Sequence, residues 1–168
     1  MPAQNSRIEL KVTGQLDNAM DLGAASYPLS YTYMTALADG TGANQAKEIF
    51  SDTRTLTASA NEDLDLSGVL LDAFGAAILF TKIKAILITA DPANVNDVVV
   101  GGAATNQVAS IFGAVTHTIK VKPGGMFAIV APDVNGYAIT AATGDLLRVT
   151  NGGAGTSVTY TIIVIGTT

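Results

Sequence analysis

From Asp52 to the carboxyl end, short runs of β-branched and aromatic residues follow one another, each bounded by Gly, Pro, Asn or Asp. Runs of this kind at a spacing of about 8–12 residues are the pattern of a β-sandwich or barrel. Strands are expected over 53–58, 62–66, 82–90, 96–100, 108–112, 116–122, 126–131, 137–140, 145–150 and 157–166. Residues 70–80 fit a short helix or a strand equally. The run 126–131 is apolar nearly throughout and so is expected to be buried on both faces. Pro123-Gly124-Gly125, Asn135-Gly136 and Asn151-Gly152-Gly153 supply turns, because proline presets φ and glycine accepts positive φ. No long helical pattern alternates with these runs, which disfavours a βαβ fold. About eight to ten strands after Phe50 are enough for two packed sheets of jelly-roll type. An immunoglobulin-like sandwich is the other candidate, but its Cys…Trp…Cys spacing is absent, for the chain has neither residue.

Before Asp52 the pattern differs. Ile8, Leu10 and Val12 alternate with Arg7, Glu9, Lys11 and Thr13, as on a strand with one apolar face. Gly14 ends that strand, and residues 15–28 read as an irregular connection. Leu29, Tyr31 and Tyr33 then share one face of a second strand. Asp39-Gly40-Thr41-Gly42 reads as a flexible joint, and residues 43–50 as a short helical turn. The first forty or so residues hold too few large apolar groups for a core of their own. The expected organisation is therefore a strand-forming arm over 1–42 and a jelly-roll-like β-sandwich over 43–168, all-β as a class.

Composition narrows the function. Of 168 residues, 48% are hydrophobic and only 14% are charged, with a formal net charge of −5. The charged share is well below the roughly 25% of ordinary soluble domains, so the surface is dominated by Thr, Ser, Asn, Gly and Ala. Such a surface suits packing against protein. The nine basic residues form no run, so no phosphate-backbone footprint is present and nucleic-acid binding is not expected. Without cysteine, thiolate nucleophiles, disulfides and Cys-ligated zinc are excluded. Mean hydropathy is +0.37, yet the longest apolar stretches, 73–80 and 162–165, fall far short of the ~20 residues of a spanning helix. No membrane partner is expected. The first residues lack a charged segment followed by an apolar one, so no secretory signal is expected either.

The candidate sites are weak. His117 is the single histidine, shares a face with Ile119 and Val121, and reads as structural. Asp63 and Asp65 would point the same way from one strand, but nothing supplies the remaining oxygens that Ca²⁺ requires. Residues 91–97 resemble a calcium loop only loosely, lacking its central Gly and distal Glu. Gly101-Gly102 and Gly152-Gly153 follow strands but lack the helix and Lys of a phosphate cradle. No nucleophile elbow, HExxH or framed carboxylate pair occurs, so no enzyme, no metal and no cofactor is expected. Tyr27, Tyr31, Tyr33 and Met34 cluster near the amino end. Tyr and Met are enriched at protein interfaces, and these four are the candidate partner-binding residues.

A resemblance extends this reading. Asp39-Gly40-Thr41-Gly42-Ala43-Asn44-Gln45, Phe50-Ser51-Asp52-Thr53-Arg54-Thr55-Leu56 and Glu62-Asp63-Leu64-Asp65-Leu66-Ser67-Gly68 carry it, with Asp72-Ala73-Phe74-Gly75 and Val98-Val99-Val100-Gly101-Gly102-Ala103. Pro123-Gly124-Gly125 and Val158-Thr159-Tyr160-Thr161-Ile162 complete it. On these the chain from Ala38 onward resembles tailed-bacteriophage capsid decoration, or cement, proteins of jelly-roll type. The resemblance implies a structural virion protein, a homotrimer on the capsid exterior that braces the phage major capsid protein and is assembled in the host cytoplasm. A tail-fibre or other tail-associated receptor-binding module is the alternative it leaves open.

Overall fold

The computed structural model describes residues 4–168. A hairpin opens it: β1 (Ser6–Met20) pairs antiparallel along its whole length with β2 (Gly23–Asp39). β3 (Gln45–Ala46) runs parallel to the end of β2. The strands that follow are β4 (Glu48–Leu56), β5 (Asn61–Asp65), β6 (Lys82–Ala90), β7 (Val98–Gly101), β8 (Thr118–Val121), β9 (Met126–Val130), β10 (Tyr137–Ala138), β11 (Leu146–Asn151) and β12 (Val158–Thr167). One helical turn, α1 (Ala109–Phe112), interrupts them. The class is all-β.

These strands form two antiparallel sheets. One has the order β10-β6-β12-β4, with β9 also on β6; the other is β5-β11-β7-β8. The period of two along β12 sends Val158, Tyr160, Ile162 and Val164 inward, all fully buried. Ile86 and Ile88 of β6 sit beside them in register. Across the gap they meet Leu64 of β5, Leu147 and Val149 of β11, and Val98 and Val100 of β7, in one continuous core. Each such side chain contributes roughly 1.5–3 kcal/mol by leaving water, and none of the residues of this core belongs to the hairpin.

Several segments depart from the sequence reading. Residues 15–28 are not an irregular connection: they are the outer half of the hairpin, closed by a turn at Asp21-Leu22. Residues 43–50 are not helical but hold β3 and the start of β4. Asn44 turns the chain at positive φ, its N–H donates to the Pro132 carbonyl at 2.7 Å, and Lys47 N–H donates to Gly166 at 2.8 Å. Partners distant in sequence override local preference there. Residues 108–112 form no strand. Gly113, left-handed at φ 77°, closes a helical turn over Ala109–Phe112 instead. Residues 70–80 are neither helix nor strand but a loop, held by an isolated bridge between Leu71 and Ala77 and by the Phe80 N–H donating to the Leu66 carbonyl at 3.0 Å. Strand β9 is not buried on both faces: Phe127 and Ile129 are half-buried against the core and Val130 against the root of the hairpin, while Met126 and Ala128 are exposed.

The outer face of the β4-β12-β6-β9 sheet is divided along its length. At one end Thr53, Thr55, Thr159, Thr161 and Thr89 form a hydroxyl surface, with cross-strand contacts of 2.9 Å between Thr53 and Thr161 and 3.0 Å between Thr55 and Thr159. At the other end the same face carries Ile163, Ile165, Ala85, Leu87, Ala128 and Val130. The apolar end is where the hairpin is rooted.

Candidate assembly interface

The register of the hairpin decides what each of its faces is. Residues directly opposite one another in an antiparallel pair lie on the same face. Leu10 is opposite Tyr33, Val12 opposite Tyr31, Gly14 opposite Leu29, and Leu16 opposite Tyr27. One face is therefore uncharged from base to tip and apolar but for Thr35 and Asn18, with Met20 at its end. The reverse face receives Arg7, Glu9, Lys11 and Asp17. Its contacts are polar and local: Arg7 to Glu9 at 2.7 Å and Gln15 to Asp17 at 2.8 Å. The segregation is complete, because no charged residue of β1 falls on the apolar side.

The apolar face is anchored only at its base. Leu37 is 1% exposed and packs with Ala46, Ala85 and Ile165, against which Ile8, Val130 and Ile163 also lie. Beyond that contact the hairpin leaves the sandwich. Every residue from Glu9 to Thr32 is exposed, including Leu16 at 71%, Tyr27 at 66% and Tyr31 at 59%. A two-stranded hairpin with nothing over its apolar face is marginal in water. Strands of this length extend about 50 Å at ~3.4 Å per residue, whereas a domain of the sandwich's size measures about 35 Å across. The outer arm lies beyond the reach of its own domain.

Where the arm departs, its apolar face and the apolar end of the sheet diverge into a groove of about 590 Å³. Leu10 and Tyr33 form one wall, which the Arg7–Glu9 ion pair also lines; Leu87, Ile163, Met126 and Ala128 are among the residues of the other. A second hollow, of about 360 Å³, lies at the threonine end of the same sheet beside Asp91 and Pro92.

The four candidate partner-binding residues are thus divided by the fold. Tyr27, Tyr31 and Tyr33 stand in a row on the apolar face, with Leu29 among them. Met34 lies on the reverse face, opposite Glu9. The sequence reading missed Leu16 and Met20, which belong to the same surface, and Leu22, exposed in the turn at its tip. Their signal was present as continued alternation with Gln15 and Asp17, hidden by Gly14 and Asn18 at apolar-face positions.

The other singled-out groups are occupied structurally. His117 is exposed, with Nδ1 2.9 Å from the Phe112 carbonyl. Arg148 makes two hydrogen bonds to the Asp63 carboxylate, at 2.8 and 2.7 Å, and Asp65 accepts from the Ser67 N–H at 3.0 Å. Glu62 turns inward. It accepts the Tyr160 hydroxyl at 2.7 Å and the Arg54 guanidinium at 2.5 Å. In the 91–97 loop, Asn94 exchanges two 2.8 Å hydrogen bonds with the Thr159 backbone, and Asp97 pairs with Lys122 at 2.8 Å. Among the described residues no three His, Cys, Asp or Glu side chains converge as a metal site would require, and no helix is long and apolar enough to cross a membrane. No family model matches the chain, and no curated protein or solved structure matches it.

Proposed function

We propose that this chain is a structural subunit of a virion: a capsid decoration protein of jelly-roll type, on the capsid exterior as a homotrimer, that braces neighbouring major capsid subunits. One observation carries the reading. The arm presents an uncharged apolar face, exposed from Glu9 to Thr32, that its own domain leaves uncovered. Exposed apolar surface of this extent marks an interaction site. A protein whose most developed surface is of this kind works by being assembled. Three copies joined in one particle multiply a modest contact with the shell by avidity.

The test is co-sedimentation of the full chain with purified phage capsids that lack it. The expected result is saturable binding, weakened at least tenfold by Tyr27→Ala/Tyr31→Ala/Tyr33→Ala, since a subunit that cannot assemble forfeits avidity. Met34→Ala, on the reverse face, should leave it unchanged. Absence of binding by the wild-type chain would overturn the reading. The tail-associated receptor-binding alternative draws on the threonine-lined hollow beside Asp91, whose hydroxyls suit a polar ligand such as a glycan. Binding on a glycan array, abolished by Thr89→Val/Thr161→Val, would favour that alternative.

A further inference from the structure

We infer that the apolar face of the outer arm is covered by a second copy of this chain, lying in the groove at the base of that copy's own arm. The inference rests on the self-assembling part of the reading above and specifies the contact that makes the assembly.

Four observations converge on a second copy as the occupant. The first is area. Leu10, Val12, Leu16, Met20, Tyr27, Leu29 and Tyr31 are each 45–71% exposed. Together they offer on the order of 700 Å² per copy, close to the ~800 Å² per partner of a stable interface. The second is stoichiometry within one molecule. Each chain carries one unfilled apolar groove and one uncovered apolar arm, so a contact between unlike patches satisfies both on every copy. The third is reach. The arm extends about 50 Å against a domain of about 35 Å, which takes its tip, with Met20 and Leu22, past its own sandwich to a neighbour's. The fourth is charge. Each copy carries a formal net charge of −5, which opposes association. The register keeps the arm's apolar face free of charge by placing Arg7, Glu9, Lys11 and Asp17, which sum to zero, on the reverse face. A charged partner would find nothing to pair with on the apolar face, whereas Leu87, Ile163, Met126 and Ala128 of the groove match it, and the two charged residues that also line the groove, Arg7 and Glu9, are paired with each other. A contact between unlike patches either closes into a ring or runs on as a filament; a rotation of one third of a turn closes it.

Sedimentation of the free full-length chain tests this without any capsid. The wild-type chain is expected to sediment as a closed multiple of 17.1 kDa. Leu16→Glu on the arm, or Met126→Glu on the groove rim, should each yield the monomer. Ser30→Glu, on the reverse face, should not. The two defective variants retain complementary halves, so mixing them should restore a two-chain species. Thermal unfolding of the sandwich serves as the folding control. If Met126→Glu lowers it, Ala128→Glu on the same exposed rim reads the same contact. A monomeric wild type overturns the inference, as does assembly that survives Leu16→Glu or a mixture that stays monomeric. A monomeric wild type that still binds capsids would overturn the inference and leave the virion reading standing; assembly without capsid binding would do the reverse.

Discussion

Tyr160 shows how a polar atom is accommodated in this core. Its side chain is fully buried between the sheets, and its hydroxyl donates to Glu62 at 2.7 Å. Glu62 is held in turn by Arg54, which also reaches Asp52 at 2.9 Å. Burial first, and then the bond to Glu62, push the phenol well above its ordinary value of 10.0. The unfolded chain therefore releases this proton from about pH 10 upward while the folded chain retains it. The associated stability is fully present below that pH and declines as pH rises through it. Tyr160→Phe should cost about 1–2 kcal/mol at neutral pH, because Glu62 loses a donor. It should also flatten the alkaline decline, as read by urea unfolding at about pH 7 and pH 11. Equal alkaline slopes in the two proteins would remove Tyr160 as the cause. Asn151 does similar work at the end of β11. Buried at 2% exposure, it donates to the Thr57 and Thr156 carbonyls at 3.0 and 2.8 Å and accepts from Asn96 at 3.0 Å. From sequence Asn151 was legible as a turn residue, but its partners lie on three other segments and were not.

Strands were legible where β-branched residues run unbroken between turn residues. β6 coincides with the run at 82–90, and β12 lies close to the run at 157–166. Legibility failed where the partner supplies the order. Gly14 and Asn18 interrupt the alternation of β1, so its outer half carries no clean period, yet pairing with β2 continues without a break to Met20 and Gly23. The helical turn of α1 is likewise decided by Gly113 and not by its own β-forming residues. A register shift between Ile165 and Gly166 marks where β12 bends against β6. A Cβ on Gly166 would collide with the Lys82 carbonyl and lie 2.7 Å from the Phe80 ring. Glycine inside a strand at a close backbone approach is the expected solution. Gly166→Ala should therefore destabilise the sandwich by about 2–3 kcal/mol, seen as an earlier denaturation midpoint with an unchanged slope. A midpoint within error of wild type would show that the bend accepts a methyl group.

At the scale of the whole molecule, association should follow from apolar burial and not from ion pairing. The arm's apolar face holds none of the charges of β1, so screening has little there to act on. The sedimenting mass is expected to hold steady between about 0.05 and 0.5 M salt, where exposed ion pairs are screened. It should fall on cooling, as apolar burial weakens. Dissociation driven by salt would instead assign the contact to charged groups elsewhere. The sequence by itself determined the all-β class, the amphipathic character of the first strand and the scarcity of reactive side chains. All three depend on residue type and on a period of two, which neighbours in the chain carry. Tertiary structure alone decided that the outer half of the arm is a paired ribbon. It also decided that Tyr27, Tyr31 and Tyr33 join Leu10, Val12 and Leu16 while Met34 faces away, and that the sheet beneath is apolar at one end. Those are facts of register and of what lies across a gap, and no local pattern encodes which residue will stand opposite another.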